Sequence, residues 1–129
     1  MLPNNFTMEN IITFFDIPAT DFSRAISFYK AILGVEINET DMFGSKMGFF
    51  PTDGANVSGA IVQGKDYKPS TDGVIVYLNG GKDLQNVLDK VESNKGKVIV
   101  PKTHISPEVG YIAMFIDTEG NKMALHSLN

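Results

Sequence analysis

Residues 14–37, FFDIPATDFSRAISFYKAILGVEI, decide the fold, because they read as strand, turn, helix and the beginning of another strand. In the helix, Phe22, Ala25, Ile26, Tyr29, Ile32 and Leu33 recur at the spacing of one apolar stripe. Thr20 or Asp21 can accept from the orphan N–H groups at its start, and Gly34 ends it as a left-handed residue past the last turn.

Outward from this helix the chain reads as a set of strands around a second helix. Ile11–Ile17, Val35–Asn38, Lys46–Phe50 and Gly59–Gln63 are strand-like in the first half. Val74–Leu78, Lys97–Pro101, Tyr111–Ile116 and Lys122–Ser127 are strand-like in the second. Their β-branched and aromatic content and their Gly, Pro, Asn and Asp boundaries carry this assignment. The second helix places Leu84, Val87, Leu88 and Val91 on one face, with Asp83 near its start and Gly96 closing it. The polar, Pro-containing stretch 64–72 reads as a linker.

The two halves echo one another. Asp21-Phe22 matches Asp83-Leu84, and Gly34-Val35-Glu36-Ile37 matches Gly96-Lys97-Val98-Ile99, each at a separation of 62 positions. Strand, helix and three strands therefore occur twice. The expected fold is α+β, two βαβββ modules at about 11–64 and 73–128 within one domain spanning 1–129, whose open sheet faces enclose a cleft.

Composition narrows the function classes. The chain has 129 residues, 43% of them hydrophobic and 20% charged, which suits a single globular domain. A net charge of −4 without any basic run argues against nucleic acid. With no Cys, disulfides, thiolate metal sites and a Cys nucleophile are all excluded. No apolar run approaches the roughly 20 residues that span a bilayer, and MLPNNFTMEN lacks a signal-peptide pattern, so a cytoplasmic, unprocessed protein with no membrane partner is expected.

The stretch at 14–37, followed by GFFPTD, SGAIVQG, NKGKVIVPKT and FIDTEGNKMALHS, resembles the vicinal oxygen chelate superfamily over roughly Ile11 to Ser127. This family includes glyoxalase I, bleomycin-resistance proteins, fosfomycin-resistance enzymes and extradiol dioxygenases. The most specific pieces are Asp21-x6-Phe28-Tyr29-x4-Gly34 and Asp117-x2-Gly120-Asn121. The resemblance implies paired βαβββ modules, a small organic ligand between them, and a homodimer. It also implies a divalent metal held by His and Glu or Gln on the outer strands of each module, acting as a Lewis acid.

Carried over residue by residue, those ligand positions fall on Phe14, on or beside Val74, on Ala124, and around Ser58–Ala60. None is a metal-ligating type. The expectation is accordingly no cofactor, with a divalent metal on other ligands as the alternative. Asp16 lies two residues beyond Phe14, and His126 two beyond Ala124, so strand alternation puts both on the cleft face as candidate acid/base groups. Phe14, Gln63, Val74, Lys102, His104 and Ala124 complete a candidate substrate-binding set. The plainer readings are that Asp16 braces the Ile17-Pro18 turn and Lys102 is a surface lysine. Three functions compete: a metal-free glyoxalase-like small-molecule binder, a metal-dependent lyase or isomerase of the glyoxalase I type, and a drug-sequestering protein.

Overall fold

Asp21 starts the first helix by accepting from Arg24 N–H at 3.1 Å, and Gly34, at φ 65°, closes it by donating its N–H to Lys30 O. This helix is α1 (Phe22–Leu33) in a computed structural model that describes residues 10–129. Its buried face is Phe22, Ala25, Ile26, Phe28, Tyr29 and Ile32, so Phe28 joins the apolar stripe and Leu33 is only half-buried. The N-terminal segment read for a signal peptide lies, up to residue 9, outside the described residues.

The remaining elements follow the expected order twice. The first module adds β1 (Phe14–Pro18), β2 (Asn38–Met42), β3 (Ser45–Phe49) and β4 (Ser58–Gln63). The second has β5 (Tyr77–Asn79), α2 (Gln85–Leu88), a 3₁₀ turn at Glu92–Asn94, β6 (Lys97–Ser106), β7 (Gly110–Ile116) and β8 (Lys122–Ser127). Each module forms a four-stranded sheet, ordered β1-β4-β3-β2 and β5-β8-β7-β6. The β1–β4 and β5–β8 pairs are parallel, and the other neighbours are antiparallel. The paired βαβββ architecture is therefore the fold of this chain.

Several boundaries differ from the sequence expectation for physical reasons. Val35–Ile37 approaches as an irregular segment that buries Ile37, and pairing of β2 with β3 begins only at Asn38. β6 continues through Pro101 to Ser106, because it is an edge strand with three irregularities in its register against β7. An edge strand at a bulge tolerates the missing proline N–H. The second helix is shorter than Leu84–Val91, and Lys95, at φ 75°, takes the left-handed closing position that was expected of Gly96. Gly96 serves a different need: a Cβ there would lie 2.8 Å from both Phe28 Cε1 and Val91 Cγ1, so only glycine admits the close approach.

One core spans both modules. Ile17 and Ile61 of the first sheet and Leu78, Phe115, Met123 and Leu125 of the second belong to a single buried cluster. α1 bridges them: the Phe28 ring lies 5.9 Å from Phe115, and Tyr29 lies 5.9 Å from Phe50. Polar contacts reinforce the joint. Glu119, in the β7–β8 turn, accepts from Thr20 N–H at 2.9 Å, Asp21 N–H at 2.7 Å and the Arg24 guanidinium at 2.7 Å. The start of α1 is thus capped partly by the other module. Burial disfavours the Glu119 charge, but the Arg24 and Asp21 hydrogen bonds outweigh it and hold its carboxyl below the usual range.

Candidate functional site

Strand alternation assigns each candidate side chain to a face. Along β1, Ile17 is buried in the core, so Phe14, Asp16 and Pro18 share the face turned away from the helices. Along β8, Met123 and Leu125 enter the core, so Lys122, Ala124 and His126 share the corresponding open face. Asp16 pairs in register with Ala60, and Ala124 with Tyr77.

Two large cavities flank β5. The first, about 1120 Å³, lies between the modules and is walled by Ile12, Phe15, Phe50 and Val57 on one side and by Val74 and Val76 on the other. The second, about 1060 Å³, lies under the β6–β7 hairpin and is lined by Ile105, Val109, Ile112, Lys82 and His126. Tyr77, Leu78, Asn79 and Gly81 belong to both, so the two cavities meet along this short strand. Apolar walls with a few polar groups are the usual make-up of a small-molecule site.

His126 Nε2 donates to Val109 O at 2.5 Å, which ties β8 to the hairpin tip and leaves Nδ1 as an acceptor in the neutral ring. Asp16 lines neither of these cavities. It borders a smaller one, about 350 Å³, at the joint between β1 and the start of β8. The sequence expectation puts Asp16 and His126 on one cleft face; both take open faces, yet each opens on a different cavity. Burial raises the Asp16 carboxyl above its ordinary pKa.

The rest of the expected set divides. Val74 borders the intermodule cavity and is 93% exposed, while Phe14, 47% exposed, stacks 6.2 Å from Phe49 on the open face. Gln63 is occupied elsewhere, since its Oε1 accepts from Phe22 N–H at 2.7 Å and caps α1. Lys102 bonds Asp83 at 2.8 Å and lies 4.5 Å over the Tyr111 ring. His104 also packs on Tyr111, at 5.0 Å, and Tyr111 contacts the core. Lys102 and His104, expected in the substrate-binding set, thus belong to the helix-covered side of the second sheet. The Lys102 bond, with help from Gln85 N–H, holds the Asp83 carboxyl below its usual range.

Tyr77, Asn79, Lys82 and Ile112 are the lining residues that sequence reasoning missed. The strand was expected at 74–78, which anchors alternation on Val74, but pairing with β8 begins at Tyr77. An odd-numbered shift in anchoring exchanges the two faces of a strand. The signal that could have found them is the pairing partner: Ala124 and His126 alternate opposite Tyr77 and Asn79.

A divalent metal does not fit the donor set. Phe14 faces Ser58 in register, Asp16 faces Ala60, and Tyr77 faces Ala124, which offers one carboxylate among rings, two hydroxyls and methyl groups. Among the described residues, no three His, Cys, Asp or Glu side chains converge to hold a metal ion.

Comparison with known proteins agrees with this architecture. The family model described as Glyoxalase/Bleomycin resistance protein/Dioxygenase superfamily matches residues 11–125. A glyoxylase-like domain-containing protein from Didymella fabae is 31% identical over 113 residues, covering 85% of this chain and 88% of that one. Among solved structures, the antibiotic binding protein TnmS3 from a Streptomyces species superposes with a TM-score of 0.67 at 20% identity, covering 95% of this chain and 98% of that chain. A glyoxalase I mutant from Zea mays gives a TM-score of 0.66 at 15% identity; 89% of this chain is covered, but it spans only 45% of the maize chain. At these identities the structures share the fold. The chain belongs to the glyoxalase/bleomycin resistance protein/dioxygenase superfamily.

Proposed function

We propose that this is a glyoxalase-like protein that binds a small, largely apolar organic molecule along β5 without a divalent metal. The observation that carries the reading is the pair of cavities meeting at Tyr77 and Asn79, apolar on their walls and polar at a few points, on strands whose metal-ligand positions hold Phe14 and Ala124. Aliphatic and aromatic walls exclude water from the ligand's body, and the Tyr77 hydroxyl, Asn79 amide and His126 ring supply direction.

Anilinonaphthalene sulfonate, an apolar anion, serves as the first probe. Saturable fluorescence enhancement is expected, and Tyr77→Ala should weaken it by about tenfold through lost aromatic contact. Unchanged affinity in that variant would remove β5 from the site. The hemithioacetal of methylglyoxal and glutathione, assayed with and without added zinc or nickel, should give no turnover; metal-dependent turnover would overturn the metal-free reading.

The assembly we propose is a homodimer. Half-exposed apolar side chains cover the open faces of both sheets, Met47 and Phe49 on the first and Ile112, Met114 and Ile116 on the second. Closed two-fold pairing of identical copies buries such faces symmetrically. Light scattering should give twice 14.1 kDa at micromolar concentration, and a mass of 14.1 kDa would reject the dimer.

A further inference from the structure

The smallest of the described cavities, about 350 Å³, sits where the modules abut, and three charged side chains border it: Asp16 from β1, Lys68 from the linker and Lys122 at the start of β8. Among the described residues, none of these three side chains makes an ion pair or hydrogen bond with the protein, whereas Glu119 pairs with Arg24 and Asp83 with Lys102. Apolar side chains also line it: Met123 from the core, Phe15 and Val76 packed against the core, and the exposed Val74.

We propose that this crevice is a binding site for a small apolar α-amino acid. The ligand's ammonium group lies on Asp16, its carboxylate between Lys68 and Lys122, and its aliphatic side chain among Phe15, Val76 and Met123. A simple anion would meet the repulsion of Asp16, and a simple cation that of two lysines. A zwitterion with an aliphatic tail satisfies all three charges and the apolar floor together. The volume is at the small end of the range for ligand pockets, about 300–1,000 Å³. Burial raises the Asp16 carboxyl above its ordinary pKa. The crevice shares Phe15, Val74 and Val76 with the intermodule cavity along β5 and differs from it in the three charged groups.

The test uses the intact chain at neutral pH and low salt, with L-leucine as the probe and calorimetry as the readout. Isovalerate and isoamylamine, which carry the same aliphatic tail with one charge each, are the comparators. Leucine should bind saturably at one site per chain, with both comparators at least tenfold weaker. Asp16→Asn and Lys122→Gln should each weaken leucine at least tenfold, and Asp16→Asn should bring isovalerate closer to leucine. Because the wild-type carboxyl is disfavoured by burial, the Asn variant should fold, with thermal melting as the check. The proposal is overturned by absence of saturable leucine binding at millimolar concentration, by isovalerate binding the wild type as well as leucine does, or by unchanged leucine affinity in both variants. Tyr77→Ala, which alters the cavities along β5 and not this crevice, should leave leucine affinity unchanged, and a tenfold loss in that variant would place leucine along β5 instead.

Discussion

Replacing Asp117 with alanine is expected to cost about 3–5 kcal/mol of stability, a large share of the roughly 5–15 kcal/mol available to a domain. Asp117 is only 4% exposed and accepts four hydrogen bonds. Tyr29 Oη donates at 2.6 Å, Asn121 Nδ2 at 3.0 Å, Glu119 N–H at 2.8 Å and Asn121 N–H at 2.9 Å. Burial, and then the Asp117 charge, push the Tyr29 hydroxyl well above its ordinary pKa, so it remains a protonated donor. Alanine would leave that hydroxyl and the turn's N–H groups without an acceptor. It would also release Glu119 from the position in which it caps α1. Tyr29→Phe removes one donor and leaves the carboxylate with three, so about 1–2 kcal/mol is expected there. Urea unfolding measures both, and an Asp117→Ala loss below about 1 kcal/mol would show that the node is not structural.

That node illustrates what the sequence discloses. Asp117-x2-Gly120-Asn121 is legible as a hairpin turn because its bonds are local, with Asn121 N–H and Glu119 N–H returning to Asp117. Its reach to Tyr29, 88 residues away, is not legible, because no short-range pattern encodes it. α1 was readable for the same reason that the turn was: cap, stripe and terminal glycine all act within a few residues. Strand edges were less readable. Val35–Ile37 and Val74–Val76 have β-branched composition, but neither pairs along its length in a sheet, since pairing depends on partners elsewhere in the chain.

The candidate site suffered most from this non-locality. Alternation within β1 and β8 is a local property, so the sequence puts Asp16 and His126 opposite the core-facing residues of their strands, but not on one shared cleft. Which cavity each borders depends on how the modules abut, and the sequence contains no local trace of that. Gln63 shows the same limit. Its side chain looks free at the end of a strand until α1 presents Phe22 N–H to it, 41 residues back in the chain.

Phe28→Ala carries the other large expected effect, about 3–5 kcal/mol, as lost burial plus the cavity left behind. Phe28 is 2% exposed and meets Tyr29 edge-on at 5.0 Å and Phe115 at 5.9 Å. The approach of Gly96 on its far side leaves little backbone freedom to collapse into the void. Phe28 sits on the helix of one module and packs on the sheet of the other, so its removal tests whether the modules fold as one unit. If the shared core makes them cooperative, unfolding followed by far-ultraviolet circular dichroism and by tyrosine fluorescence should remain a single coincident transition at a lower midpoint. A double-mutant cycle with Phe115→Leu should then show coupling of about 0.5–1.5 kcal/mol, as expected for an aromatic pair in contact. Two separated transitions in Phe28→Ala, or additive losses in the cycle, would mean that the ring fills space in its own module without joining the two.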